Sequence, residues 1–227
     1  MNRKQQLASE LLDIEAVSLK PNDPFTWSSG LQAPIYCDNR LTLSHPSLRS
    51  EIAEGFKAVI TENYADCDVI AGTATAGIPH AAIVSDRLEL PMIYVRGSAK
   101  KHGKGNLIEG KLSKGDRVVV VEDLISTGKS SIDVANAIQE AGGVVVGVVA
   151  IFSYGLKIGT KNFAEHNISH NTLTDFETLI EQAIKKRCHS RRRTSTIKAM
   201  AKKRQKIGDR DHSCGFFFVG GAIVEDS

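Results

Sequence analysis

The chain has 227 residues, 41% of them hydrophobic and 24% charged, with a formal net charge of +3 at pH 7. That length suits one α/β domain with a sizeable core and small additions. No apolar run approaches a membrane span, and Met1-Asn2-Arg3-Lys4 leads into a polar helix rather than a signal-peptide core, so a cytoplasmic setting without membrane contact is expected. Cys37, Cys67, Cys188 and Cys214 show no CxxC spacing and the His residues are scattered, which argues for reduced thiols and against a transition-metal cluster.

In chain order, Leu7, Leu11 and Ile14 mark a first helix. The Pro- and Gly-punctuated stretch from Pro21 to Asp38 predicts a hood of short strands, lying largely within residues 1–45. Ile52, Phe56, Val59 and Ile60 mark a second helix, Asp68 to Ala71 a short strand, Ile78 to about Leu88 a helix, and Met92 to Val95 a strand. Val118 to Val121 is a fully apolar run and predicts a strand buried on both faces. Val134, Ala137, Ile138 and Ala141 follow at helical spacing, with Gly142-Gly143 as the stop. Val144 to Phe152 gives another strand and Phe176 to Ile184 another helix. Strands separated by helices predict an α/β fold with a doubly wound, mostly parallel sheet. The domain is expected over residues 1–184.

The chemistry concentrates where the valine run ends. Glu122, Asp123, Leu124 and Ile125 lead into Ser126, Thr127, Gly128, Lys129 and Ser130, a small-residue turn at the carboxyl end of a strand, where open α/β sheets bind ligands. Unpaired N–H groups at a helix start suit a phosphate, and the Ser126, Thr127 and Ser130 hydroxyls add donors. Glu122 and Asp123 would repel that phosphate unless sugar hydroxyls or a hard cation such as Mg²⁺ intervene. Phosphate at one end and a diol at the other describe a ribose 5-phosphate. A nucleotide-hydrolase P-loop fits poorly: Gly128-Lys129-Ser130 matches its end, but its first glycine falls on Asp123. An ordinary strand-turn-helix unit with exposed acids is the plainer alternative.

Val119 to Ser131 resembles the phosphoribosyl diphosphate (PRPP) signature of type I phosphoribosyltransferases. Three further stretches narrow the resemblance to the orotate phosphoribosyltransferases. Phe25-Thr26-Trp27-Ser28-Ser29-Gly30 with Ala33 to Asp38 is similar to their N-terminal substrate-side segment. Gly72-Thr73-Ala74-Thr75-Ala76-Gly77-Ile78-Pro79 resembles their diphosphate-side loop. Tyr94-Val95-Arg96, then Lys100-Lys101-His102-Gly103-Lys104-Gly105, resembles their mobile catalytic loop, although by composition it reads equally as a solvated surface loop. The resemblance runs from about residue 5 to about residue 184.

That resemblance implies transfer of ribose 5-phosphate from PRPP to orotate, with Mg²⁺ held mainly by the substrate and no firm protein ligand. Glu122 and Asp123 would hold the ribose hydroxyls, directly or through Mg²⁺, and Ser126 to Ser130 would grip the 5′-phosphate, with Ser126 also touching orotate; Leu124 and Ile125 between them would belong to the PRPP-binding stretch. Arg96, Lys100 and His102 would serve the diphosphate, Lys100 and His102 as the catalytic pair. It further implies a homodimer whose lid loop reaches the neighbouring subunit's site. Tyr36 and Ser153-Tyr154-Gly155 are candidates to border the base. Ser28, Ala76 and Gly97 stand where many relatives carry Lys. A transferase for another base, or a PRPP-sensing regulator that binds nucleic acid, are the alternatives.

Residues 185–227 hold twelve of the 29 Lys and Arg but four of the 26 Asp and Glu, so this tail contributes +8 and the rest of the chain −5. Nucleic acid is an expected partner only through these basic clusters. Relatives tend to end in a moderately charged amphipathic helix; this tail, with Phe216-Phe217-Phe218-Val219, is expected to be a shifted reading frame or a replaced end without stable order.

Overall fold

A computed structural model of the protein describes residues 2–20, 25–26, 32–33, 35–97 and 107–187. After α1 (Arg3–Asp13) come four short strands, β1 (Val17–Leu19), β2 (Phe25–Thr26), β3 (Gln32–Ala33) and β4 (Ile35–Cys37), and a 3-10 helix (Asn39–Ser44). Then follow α2 (Pro46–Asn63), β5 (Val69–Thr73), α3 (Gly77–Leu88), β6 (Met92–Val95), β7 (Ile108–Glu109) and β8 (Arg117–Ile125). The chain continues with α4 (Lys129–Glu140), β9 (Val144–Ser153), α5 (Lys157–Glu165), β10 (His170–Asp175) and α6 (Phe176–Arg187).

The valine run organises the sheet. Side chains alternate across a strand, so Val119 and Val121 enter one core with Val149 and Ile151, while Val118 and Val120 enter a second with Val148 and Ala150. The first core is roofed by α1, α2, α3 and α6 through Leu7, Leu11, Ile52, Phe56, Val84 and Leu179; the second by α4 and α5 through Ile132, Ile138 and Phe163. A strand covered on both faces has no polar side to show, which is why the run carries no alternation.

The strand order is β10-β9-β8-β5-β6-β7, parallel except for the antiparallel β6–β7 edge. This is the doubly wound, mostly parallel sheet that the alternation of elements predicts. From β5 the chain moves outward to β6 and β7, then returns to lay β8 on β5's other side. The reversal opens a crevice at the carboxyl ends of β5 and β8.

Two antiparallel pairs, β1 with β4 and β2 with β3, make the N-terminal hood. It is tied down by the Asp38 N–H donating to Ala16 at 2.7 Å and by burial of Val17 and Ile35 in the first core. Four elements have no counterpart among those expected from sequence: the 3-10 helix, β7, α5 and β10. β10 reads His-Asn-Thr-Leu-Thr-Asp, an edge strand with one aliphatic residue, and α5 buries only Gly159 and Phe163. At the far end α6 runs on to Arg187, past the expected boundary at 184; Lys186 there pairs with Asp13 and donates to the Ser9 carbonyl at 2.8 Å. The remaining tail, 188–227, lies outside the described residues. Among the described residues no helix is long and apolar enough to cross a membrane.

Candidate active site

β8 runs beyond its β5 ladder, which ends at Gly72–Val121, while its pairing with β9 continues to Ile125–Ser153. The overhang carries the acid pair. Glu122 is 5% exposed; its Oε1 accepts the Asp123 N–H at 3.0 Å and its Oε2 the Ser131 hydroxyl at 3.4 Å. Burial, then the neighbouring Asp123 charge, raise Glu122 well above the ordinary carboxyl range. Burial raises Asp123 as well, opposed by a hydrogen bond from Glu122, so the two carboxyls are both pushed above their ordinary range and titrate as a pair. Two carboxylates held away from water in this way suit donors brought by a ligand, either sugar hydroxyls or a hard cation. Among the described residues no group of three or more His, Cys, Asp and Glu forms a metal site by itself.

The turn Ser126–Ser130 rests on α5. Ser126 is buried, Thr127 partly so, and Ser130 exposed. Asn162 donates its amide to the Thr127 carbonyl at 2.9 Å. Gly159 lies so close to the turn that a Cβ there would sit 2.6 Å from the Ser126 carbonyl oxygen. Gly128 has φ 78°, and a Cβ on it would meet the Phe163 ring at 2.6 Å. Only glycine satisfies both that conformation and that contact. α4 then begins with no side-chain cap and no acidic residue in its first turn, leaving its N-terminal dipole open to an anion. Leu124 and Ile125 turn their side chains into the two cores, which leaves their main chain alone to face the crevice. Lys129 pairs with Asp133 at 2.5 Å on the exposed face of α4.

A second helix start faces the same crevice. β5 ends at the buried Thr73, Ala74–Thr75 is a cis peptide, and α3 begins at Gly77, again without a side-chain cap or an early acid. A Cβ on Gly77 would lie 2.4 Å from the Val121 carbonyl, so glycine lets α3 start directly against β8. Two uncapped helix N-termini therefore flank one acid pair, at the ends of adjacent strands.

The hood closes a third side. The Asn39 amide donates to the Asp123 carbonyl at 2.7 Å, and Asp38 holds Arg40 through two guanidinium bonds of 2.6 and 2.8 Å. Tyr154 is buried beneath, edge-on to Phe152 with ring centroids 5.5 Å apart; burial raises its hydroxyl well above the ordinary value, against a hydrogen bond with the Cys37 main chain. Tyr36 is exposed and lies 5.7 Å from the Phe25 ring.

Glu122, Asp123 and the turn Ser126–Ser130 thus lie together at the carboxyl end of β8, with the buried Ser131 hydroxyl behind Glu122, while the Leu124 and Ile125 side chains point into the cores and Lys129 turns to Asp133. Arg96 lies two strands away at the end of β6, where its N–H bonds Leu107 at 2.9 Å and its Nη1 stands 3.6 Å from Glu109. Lys100 and His102 lie outside the described residues, as does Ser28. Ala76 occupies the position before α3, and Gly97 faces open space. Sequence reasoning did not find Asn39, Gly159 or Asn162. Each sits far from the signature in the chain, and only the fold carries it there.

Residues 43–178 match the family described as "Phosphoribosyl transferase domain". The chain is 59% identical over 183 residues to the orotate phosphoribosyltransferase of Halalkalibacterium halodurans, covering 81% of this chain and 87% of that protein. It is 52% identical to that of Listeria monocytogenes, covering 92% of this chain and all of the relative. The solved orotate phosphoribosyltransferase of Aeropyrum pernix superposes with a TM-score of 0.70 at 29% identity, covering 78% of this chain and 97% of that one. With its acid pair, small-residue turn and hood in this arrangement, the chain belongs to the phosphoribosyltransferase family and, within it, to the orotate phosphoribosyltransferases.

Proposed function

We propose that the protein transfers the 5-phosphoribosyl group of PRPP to N1 of orotate, giving orotidine 5′-phosphate and diphosphate, a step in making pyrimidine nucleotides. The observation that carries this reading is the acid pair at the end of β8 between two uncapped helix N-termini. PRPP has the matching polarity, with a 5′-phosphate at one end, a diphosphate at the other and a cis-diol between them. The turn Ser126–Ser130 takes the 5′-phosphate through main-chain N–H groups and hydroxyls. Ser126 also borders the orotate. Thr75 to Ile78 face the diphosphate, and Glu122 and Asp123 accept the ribose hydroxyls directly or through Mg²⁺.

The C1′–O bond to diphosphate breaks largely before the bond to N1 forms, so positive charge grows on the ribose ring as negative charge grows on the leaving group. The protein's work is to hold the partners in line and to stabilise the separating charges. The acid pair lies where the ring charge develops. Arg96, Lys100 and His102 serve the diphosphate in this reading, with His102 assisting its departure and closure of the lid excluding water. Mg²⁺ bound with the diphosphate supplies neutralisation of the leaving group's charge. In this reading two subunits pair, each lending its lid loop to the other's site.

The test is product analysis with PRPP, Mg²⁺ and a choice of orotate, uracil, adenine and hypoxanthine. Orotidine 5′-phosphate formed in preference to the other nucleotides is expected. Preference for another base would reassign the acceptor, and PRPP binding without turnover of any base would favour a sensor.

A further inference from the structure

Asp123 sits on the part of β8 that β5 no longer accompanies, so neither of its main-chain groups is served by that ladder. Both are instead held by side chains. Glu122 Oε1 takes the Asp123 N–H at 3.0 Å, and Asn39 Nδ2 donates to the Asp123 carbonyl at 2.7 Å. Asn39 is 1% exposed and is itself fixed on two further sides. The Cys37 thiol lies 3.3 Å from its Oδ1, and the Thr42 hydroxyl, 0% exposed, donates to its main-chain carbonyl at 2.6 Å. A buried asparagine with both ends of its side-chain amide and its main-chain carbonyl engaged is held in one geometry, and that geometry is transmitted to the peptide it grips.

We propose that Asn39 is a positioning residue for the reaction: it clamps the Asp123 peptide from the hood side and thereby sets the direction in which the Glu122–Asp123 pair meets the ribose of PRPP. This rests on the reading of that pair as the ribose-binding group. Asn39 contacts no reacting atom in this account; it acts through Asp123. Its place between hood and sheet gives the hood a second use, since a shift of β4 or the 3-10 helix would re-aim the acids.

The experiment is steady-state kinetics on Asn39→Leu, of similar size but unable to donate, with Thr42→Val as a milder variant that leaves the amide in place. Asp123→Asn runs alongside, and thermal melting is recorded for all. Loss of one aimed hydrogen bond predicts a KM for PRPP raised about tenfold in Asn39→Leu, a smaller rise in Thr42→Val, and a KM for orotate unchanged within experimental scatter. If Asp123→Asn raises the KM for PRPP while both other variants leave it at the wild-type value, or raise both KM values in step with lost thermal stability, Asn39 is merely structural and the proposal fails. An unchanged KM for PRPP in Asp123→Asn would overturn the ribose-binding reading itself, and this inference with it. Should Asn39→Leu not fold, the KM for PRPP of Thr42→Val decides alone.

Discussion

Glu122 and His80 titrate in opposite senses, and each sets a slope on the stability of the free protein. Glu122 is raised by burial, so the native state keeps a proton that the unfolded chain gives up. Its stabilising effect is complete below the ordinary carboxyl range, near pH ~4.3, and is lost as pH climbs toward the folded value. Glu122→Gln removes that penalty. We expect the ligand-free variant to melt higher than wild type at neutral pH, with a flatter profile, while its KM for PRPP rises about ten- to a hundredfold because an amide cannot ionise to meet the ribose hydroxyls. Melting scans against pH, with and without PRPP, check both halves.

His80 is 2% exposed on α3, edge-on to Phe56, with no hydrogen-bond partner at Nε2. Burial, and secondarily Arg49, lower it to about 4. Between pH ~6.5 and that value the unfolded chain takes up a proton that the native state refuses, so stability falls with pH over this window, by up to about 3 kcal/mol. His80→Leu is expected to flatten the acid side of the melting profile; an unchanged slope would show that His80 is not responsible. Neither environment is visible in the sequence. The acid pair announces itself by type and position, but its burial depends on Ser131 and on a hood that meets β8 from 84 residues away.

At the scale of elements, the turn Ser126–Ser130 depends on α5. Gly128→Ala would place a methyl group against Phe163 in a backbone region that L residues avoid, and should cost about 2–4 kcal/mol while weakening PRPP binding. Gly115, also at positive φ but with open space around it, is the control: Gly115→Ala bears the backbone strain without the clash and should leave binding intact. Urea unfolding together with PRPP titration separates the two. The glycine of the turn could be read from sequence because a phosphate demands close backbone approach. The supporting helix could not, because Gly159 and Asn162 have no periodic pattern around them, and α5 buries too narrow a stripe for helical spacing to show. Strands buried on both faces were the readable elements, since continuous Val and Ile runs have few other homes; polar β10 and two-residue β7 gave no such signal.

For the whole molecule, the position of the site follows from topology. Once the alternation of strand and helix predicts a doubly wound sheet, a ligand crevice at the reversal of strand order is expected, and β8 beside β5 supplies it. The sequence pattern did not give the order of strands, which depends on long-range pairing. The proposed sharing of the lid has its own test. Lys100→Ala and Asp123→Asn each damage a different part of the site. If the lid crosses between subunits, mixing the two impaired proteins creates heterodimers with one intact site, and random exchange should raise the activity to about a quarter of the wild-type value. No recovery, with exchange of subunits confirmed, would place each lid over its own subunit's site.

In the proposed reaction this crevice transfers phosphoribosyl groups to orotate through the β8 acid pair. Its most direct measurement is the loss of orotate absorbance on adding PRPP and Mg²⁺, in wild type and in a Glu122→Gln, Asp123→Asn double variant. The account predicts rapid, PRPP- and metal-dependent loss in the wild type and a fall of at least about a hundredfold in kcat/KM for the variant. Equal rates in the two proteins, or no loss of orotate in a wild type that binds PRPP, would contradict it.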